Sequence, residues 1–180
     1  ADLLEWARSA DAWILEDDYD SEFRYSGAPL ASLQGIDADQ RVIYLGSFSK
    51  SIFSGLRLAY LVVPTDLIAA FQAMRQAVGG PPPVLEQSVV ARFLSEGHFQ
   101  RHLRRMRRAY SQRQHCLLQA IGDQLHGLLQ VSPDETGMHL VGWLPDGMEA
   151  QDVCSRAVHE GLFLLPLSSY RAAPGPEGVL

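Results

Sequence analysis

Three short apolar runs constrain the fold of this chain most: Ala12-Trp13-Ile14-Leu15, Val42-Ile43-Tyr44-Leu45, and Leu56 to Val63, closed by Pro64. Continuous apolar runs of this kind read as strands covered on both faces, as in an α/β layer protein. Helical periods separate and follow them. Residues 2 to 10 read as a short helix, and Thr65-Asp66 can cap another that continues to about Val78. The segment Gly79-Gly80-Pro81-Pro82-Pro83 must break that helix, and residues 84 to 96 form the next. A longer helix carries Phe99, Leu103, Met106, Tyr110, Leu117 and Ile121 on one face. Beyond Gly127, the expected elements are strands at 128–131 and 138–144, a helix at 149–160 and a last strand at 162–167. This order differs from the first half and predicts a smaller second domain.

The chemistry gathers at the carboxyl ends of the first two runs. Glu16-Asp17-Asp18-Tyr19-Asp20 follows the first, and Gly46-Ser47-Phe48-Ser49-Lys50 follows the second. Lys50 is the only lysine, and every other basic residue is arginine. An amine, unlike a guanidinium, can lose its proton and form an imine with a carbonyl. Residues two apart in an extended segment point to one side, so Asp17 and Tyr19 can face one ligand. If the two strands are parallel neighbours, their carboxyl ends meet in the crevice where α/β sheets bind ligands. That crevice then holds a carboxylate, a phenol, an amine, two hydroxyls and, with Arg57, a guanidinium.

Pyridoxal 5'-phosphate calls for such a set. Its aldehyde takes an amine, its ring nitrogen is kept protonated by a carboxylate, and its phosphate suits a forked cation with hydroxyl donors. Taken singly, each residue has an ordinary reading: Asp-rich turns cap helices, and arginines in strands pair with surface acids. Taken together, the ordinary reading loses ground.

At Glu16 to Tyr25 (EDDYDSEFRY), Ser47 to Lys50 (SFSK) and Leu56 to Tyr60 (LRLAY), the sequence resembles the fold-type-I pyridoxal-phosphate proteins. More narrowly, it is similar to the aminotransferase-like domain of MocR-type regulators of the GntR group. The resemblance continues through Gly97-His98 to Arg108, Gly137 to Leu140 and Leu162 to Tyr170. It implies an α/β fold of the class I/II aminotransferase type, present in part. Residues 1–95 would end the large cofactor-binding domain, and residues 96–180 would form the small carboxyl-terminal domain, truncated at its end. Lys50 would be the Schiff-base lysine and Asp17 the partner of the pyridine nitrogen. Tyr19 would bond the ring oxygen, while Ser47, Ser49 and Arg57 would hold the phosphate. Ser54 stands where the family often has proline. The phosphate-binding loop and ring-stacking aromatic of the family belong to an earlier half of the domain. Its carboxylate-gripping arginine lies near the final strand, close to Arg171 but not matched to it.

Two functions follow from that resemblance. In the first, the domain senses pyridoxal phosphate, or an amino compound that reacts with it, for a transcriptional regulator. DNA would then be bound only through an additional amino-terminal module. In the second, it is a working aminotransferase passing an amino group from an amino acid to a 2-oxo acid. Either implies a cytoplasmic protein and a homodimer.

Other signals carry less. Ser47-Phe48-Ser49-Lys50 fits the Ser-x-x-Lys pattern of penicillin-recognising enzymes, which also need a Lys-Thr-Gly that a single-lysine chain cannot supply. His98 and His102 share a helix face without a third ligand candidate, so no metal site is expected. The arginines at 101 to 108 read as a solvent- or domain-facing surface, because the formal charge of the chain is -6. Cys116 and Cys154 are expected to be reduced, buried thiols. No apolar run is long enough to span a bilayer.

Overall fold

A computed structural model describes residues 2–28, 30–79 and 83–180. It divides into two compact units, Ala1–Arg104 and Arg105–Leu180.

In the first unit, helix α1 (Asp2–Ser9) leads into strand β1 (Ile14–Asp18), which lies parallel to β2 (Val42–Ser47). The register sets Ile14 beside Val42 and Asp17 beside Leu45, so the two expected strands are the parallel neighbours that the crevice requires. Ala7, Ile14 and Val42 form a buried cluster, with Leu4 and Leu33 packed against it. Side chains alternate across a strand, so Glu16 and Asp18 share the face of Ile14, and Leu15 and Asp17 take the other. The chain between β1 and β2 is secured by acids. Glu16 accepts from the backbone N–H groups of Leu33 and Gln34 at 2.8 and 2.9 Å. Asp37 accepts from those of Arg41 and Val42 at 2.6 and 2.8 Å.

β2 runs directly into a single helical turn, α2 (Phe48–Ser51), and β3 (Ala59–Val62) then pairs antiparallel with β2. Two expectations are corrected here. β3 starts at Ala59 rather than Leu56, because Ser54–Leu56 coils into a 3-10 turn that ends on Arg57 in the left-handed region. It is also exposed along its whole length, and Leu15 on β1 is 67% exposed, so these runs are not covered on both faces among the described residues. Gly46 has a packing reason to be glycine: a Cβ there would fall 2.3 Å from the ring of Tyr60 on β3.

Helix α3 (Ile68–Gly79) follows a 3-10 turn at Thr65–Leu67, and α4 (Val84–Ser95) follows it. The breaking segment between them lies largely outside the described residues. Gly97, at a φ of +72°, separates α4 from α5 (His98–Gln124). Phe99 and Leu103 at the start of α5 are buried.

In the second unit the half-buried stripe of α5 passes through Tyr110, Gln114, Leu118 and Ile121. Leu117 and Cys116 lie off that stripe and are exposed, which corrects the placement of Leu117 on the apolar face and the expectation of a buried Cys116. Strands β4 (Gln130–Val131), β5 (Gly142–Trp143) and β6 (Gly178–Val179) make an antiparallel sheet in that order. The expected strand at 162–167 does not form. Pro166 has no N–H for a ladder, and the segment meets β6 through an isolated bridge from Pro166 to Val179 and a pair of bonds between Leu165 and Leu180. Helix α6 (Ala150–His159) buries Ala150 and Cys154 against Val179, and burial pushes the Cys154 thiol up. Among the described residues, no helix is long and apolar enough to cross a membrane.

Candidate functional site

The six residues singled out from the sequence sit on three consecutive features of the first unit. Asp17 is the exposed penultimate residue of β1, and Tyr19 lies in the bend that follows it. Ser47 closes β2, one step past the residue paired with Asp18. Ser49 and Lys50 belong to α2, and Arg57 ends the 3-10 turn before β3. The parallel register therefore brings Asp17 and Ser47 to one end of the sheet. The remaining four lie within a few residues of that edge along the chain.

Local chemistry explains the lysine turn. A single helical turn has too few internal bonds to hold itself, and its first N–H groups need outside acceptors. Ser47 stands in extended geometry as the N-cap, and its hydroxyl accepts from the Ser49 N–H at 3.1 Å. The Phe48 N–H donates to Leu58 O at 3.1 Å, and the Ile52 N–H closes the turn on Phe48 O at 2.9 Å. The Phe48 ring packs against Tyr60 and meets Phe99 edge-on, with centroids 5.5 and 6.2 Å apart.

Arg57 is held at φ 51° and ψ 33°. The left-handed region is uncommon for a residue with a Cβ and costs free energy, a pattern concentrated at ligand sites. Its backbone N–H donates to Ser54 O at 3.3 Å, and the residue is exposed.

The acids beside Asp17 have other tasks. Glu16 holds the loop at Leu33 and Gln34. Asp18 accepts from the Ser21 hydroxyl at 2.6 Å and from the Tyr44 hydroxyl at 2.7 Å. Burial alone would raise the Asp18 carboxyl; the bonds from Ser21 and Tyr44 outweigh it and hold the group below the usual carboxylate range. Burial, and then Asp18 itself, push the Tyr44 phenol up. These supporting roles of Glu16, Asp18 and Tyr44 were not foreseen from the sequence. Strand alternation gave the signal, since it sends Glu16 and Asp18 to the face opposite Asp17.

By contrast, Asp17, Tyr19, Lys50 and Arg57 make no side-chain hydrogen bond or ion pair among the described residues. An uncommitted amine, carboxylate, phenol and guanidinium beside two serine hydroxyls form a donor set that fits a phosphorylated pyridine aldehyde. A groove of about 1000 Å³, lined by Leu45, Leu61, Ile68 and Phe71 together with Gln72 and Arg75, contains none of the six.

The two histidines of the α5 face take different partners. His98 stacks on Phe93 and pairs with Glu96, whereas His102 bonds the Ser51 carbonyl at 2.9 Å. In the second unit, the Arg171 guanidinium lies over the Trp143 ring, 5.6 Å from its centroid, and donates to Pro176 O.

The family model for aminotransferase class I and II matches residues 1–178. The chain is 38% identical over 179 residues to the probable rhizopine catabolism regulatory protein MocR of Rhizobium meliloti, covering 99% of this chain and 36% of that one. The solved α-aminoadipate aminotransferase LysN of Thermus thermophilus, complexed with N-(5'-phosphopyridoxyl)-L-leucine, is 32% identical. It superposes with a TM-score of 0.83 over 99% of this chain and 46% of its own. Kynurenine aminotransferase of Pyrococcus horikoshii, in complex with PMP, is 28% identical with a TM-score of 0.85, over 98% of this chain and 45% of its own. The chain thus spans about a third of the regulator and less than half of each enzyme.

Proposed function

Because this chain belongs to the aminotransferase class I and II family, with part of a fold-type-I transferase fold, we propose that it is the effector-sensing portion of a MocR-type transcriptional regulator that binds pyridoxal 5'-phosphate. The observation that carries this reading is the higher identity to the regulator, 38%, than to the two enzymes, 32% and 28%, at 98–99% coverage of this chain. In this reading residues 1–95 complete the large domain and 96–180 belong to the small one. The protein is a cytoplasmic homodimer that meets DNA through a separate amino-terminal module.

The cofactor supplies an electrophilic aldehyde and a ring that accepts electrons when its nitrogen is protonated. Lys50, carried by the α2 turn, would hold the aldehyde through its amine. Asp17 holds the proton on the ring nitrogen, since an adjacent carboxylate favours the charged form. Tyr19 bonds the ring oxygen. Ser47 and Ser49 donate hydroxyls to the phosphate, and the Arg57 fork supplies paired donors and a full positive charge. An amino acid or amine effector would be recognised at the same place, where Lys50 would hold the group.

The test uses the full-length protein with pyridoxal phosphate. Borohydride reduction followed by peptide mapping should place the adduct on Lys50, and DNA binding should change when an amino compound is added. An adduct at another site overturns the cofactor assignment.

The aminotransferase reading is favoured by one observation, that both solved structures are of enzymes with matching folds. A full-length protein that turns over amino acids rapidly and binds no DNA would establish it instead.

A further inference from the structure

We propose that His102 is a positioning residue for the Lys50 turn: its Nε2–H bonds the Ser51 carbonyl and locks the trailing end of α2. The inference rests on Lys50 being the covalent residue. Four residues of helix leave the last carbonyls of α2 without an internal partner, and Ser51 is only 1% exposed, so water cannot easily serve its carbonyl. His102 fills this role from a position 51 residues later in the chain, at 2.9 Å. A carbonyl oxygen only accepts, so the proton lies on Nε2.

The bond has an apolar frame. Phe99 and Leu103, flanking His102 on α5, are 7% and 3% exposed. Phe99 meets the Phe48 ring of α2, and Phe93 of α4 meets both Phe99 and His102. The leading end of α2 is fixed by Ser47 and Leu58, as described above. With His102 in place both ends of the turn are fixed, and the lysine stem emerges from a backbone that cannot swing. The histidine's bond is to the Ser51 carbonyl and not to a side chain of the candidate set, so its effect on Lys50 would travel through the Ser51 peptide.

The experiment compares His102→Gln with His102→Asn in the full-length protein. A Gln amide reaches the place of Nε2, whereas an Asn amide reaches only that of Nδ1, so the pair differs in reach alone. Amide hydrogen exchange in the 48–52 segment is followed by mass spectrometry without cofactor. His102→Asn should exchange about three- to tenfold faster than the parent, the loss of one neutral hydrogen bond, and His102→Gln should return it to the parental rate. Borohydride capture of pyridoxal phosphate at Lys50 should slow in His102→Asn, while binding of pyridoxine phosphate, which has no aldehyde, stays unchanged. A merely loosened fold would weaken both. Equal exchange in the two variants, or parental exchange in His102→Asn, overturns the tether. A parent that takes up no pyridoxal phosphate overturns the reading beneath it, and the exchange contrast still decides the tether.

Discussion

The Tyr44 hydroxyl donates to Asp18 Oδ2 across the parallel pair at 2.7 Å, joining the end of β1 to the middle of β2 one residue away from Asp17. Burial would raise the Asp18 carboxyl, but the bonds from Ser21 and then Tyr44 hold it below its ordinary value, so its contribution to stability is present above the unfolded pKa of about 4 and is lost as pH falls through the folded value. Tyr44→Phe should cost about 1–2 kcal/mol at neutral pH, and the gap from the parent should close in strong acid. Urea unfolding at a series of pH values measures this. A gap that stays constant down to low pH would show that the phenol, and not its bond to a carboxylate, is what matters.

Ser51 is the buried polar residue next to Lys50, and its hydroxyl has no hydrogen-bond partner among the described residues. Leaving a hydroxyl unsatisfied is costly, so Ser51→Ala should stabilise the cofactor-free protein by about 1 kcal/mol. Equilibrium denaturation checks this. Destabilisation of similar size would mean that the hydroxyl is bonded in solution.

Arg57 combines a strained backbone with a forked cation. Arg57→Lys keeps the charge and loses the fork, and should weaken pyridoxal phosphate binding by roughly ten- to a hundredfold, the loss of one charge-assisted bond. Arg57→Gly accepts the left-handed backbone freely, so it should bind still more weakly without losing cofactor-free stability. Fluorescence titration and thermal melting read the two effects separately. Lysine binding as tightly as arginine would remove Arg57 from the phosphate.

Asp17 should matter for reactivity more than for retention. Asp17→Asn keeps the size and removes the charge that favours a protonated ring nitrogen. The variant should still be captured at Lys50 by borohydride, while proton abstraction from a bound amino acid slows about tenfold or more. Single-turnover spectroscopy with an amino acid follows that step, and an unchanged rate would count against the assignment.

The apolar runs at 12–15 and 42–45 sufficed to give two strands, and the residues at their ends sufficed to suggest the cofactor. Both readings rest on local order: side chains alternate along a strand, and a lone amine among arginines is visible in the sequence itself. Alternation also separates Asp17 from Glu16 and Asp18, although it does not tell which face the rest of the protein covers. The tertiary structure alone decided the partners. Glu16 meets backbone N–H groups 17 and 18 residues away, and His102 meets a carbonyl 51 residues away. Each such pairing depends on which backbone groups remain unsatisfied once neighbouring elements have packed, and no local period encodes that. The same holds for Arg57, whose left-handed backbone is imposed by the turn between α2 and β3, and for residues 162–167. Their apolar composition suits a strand, but a proline and the docking of β6 leave them an isolated bridge. Sequence determined which groups could do chemistry; packing determined which of them were left free to do it.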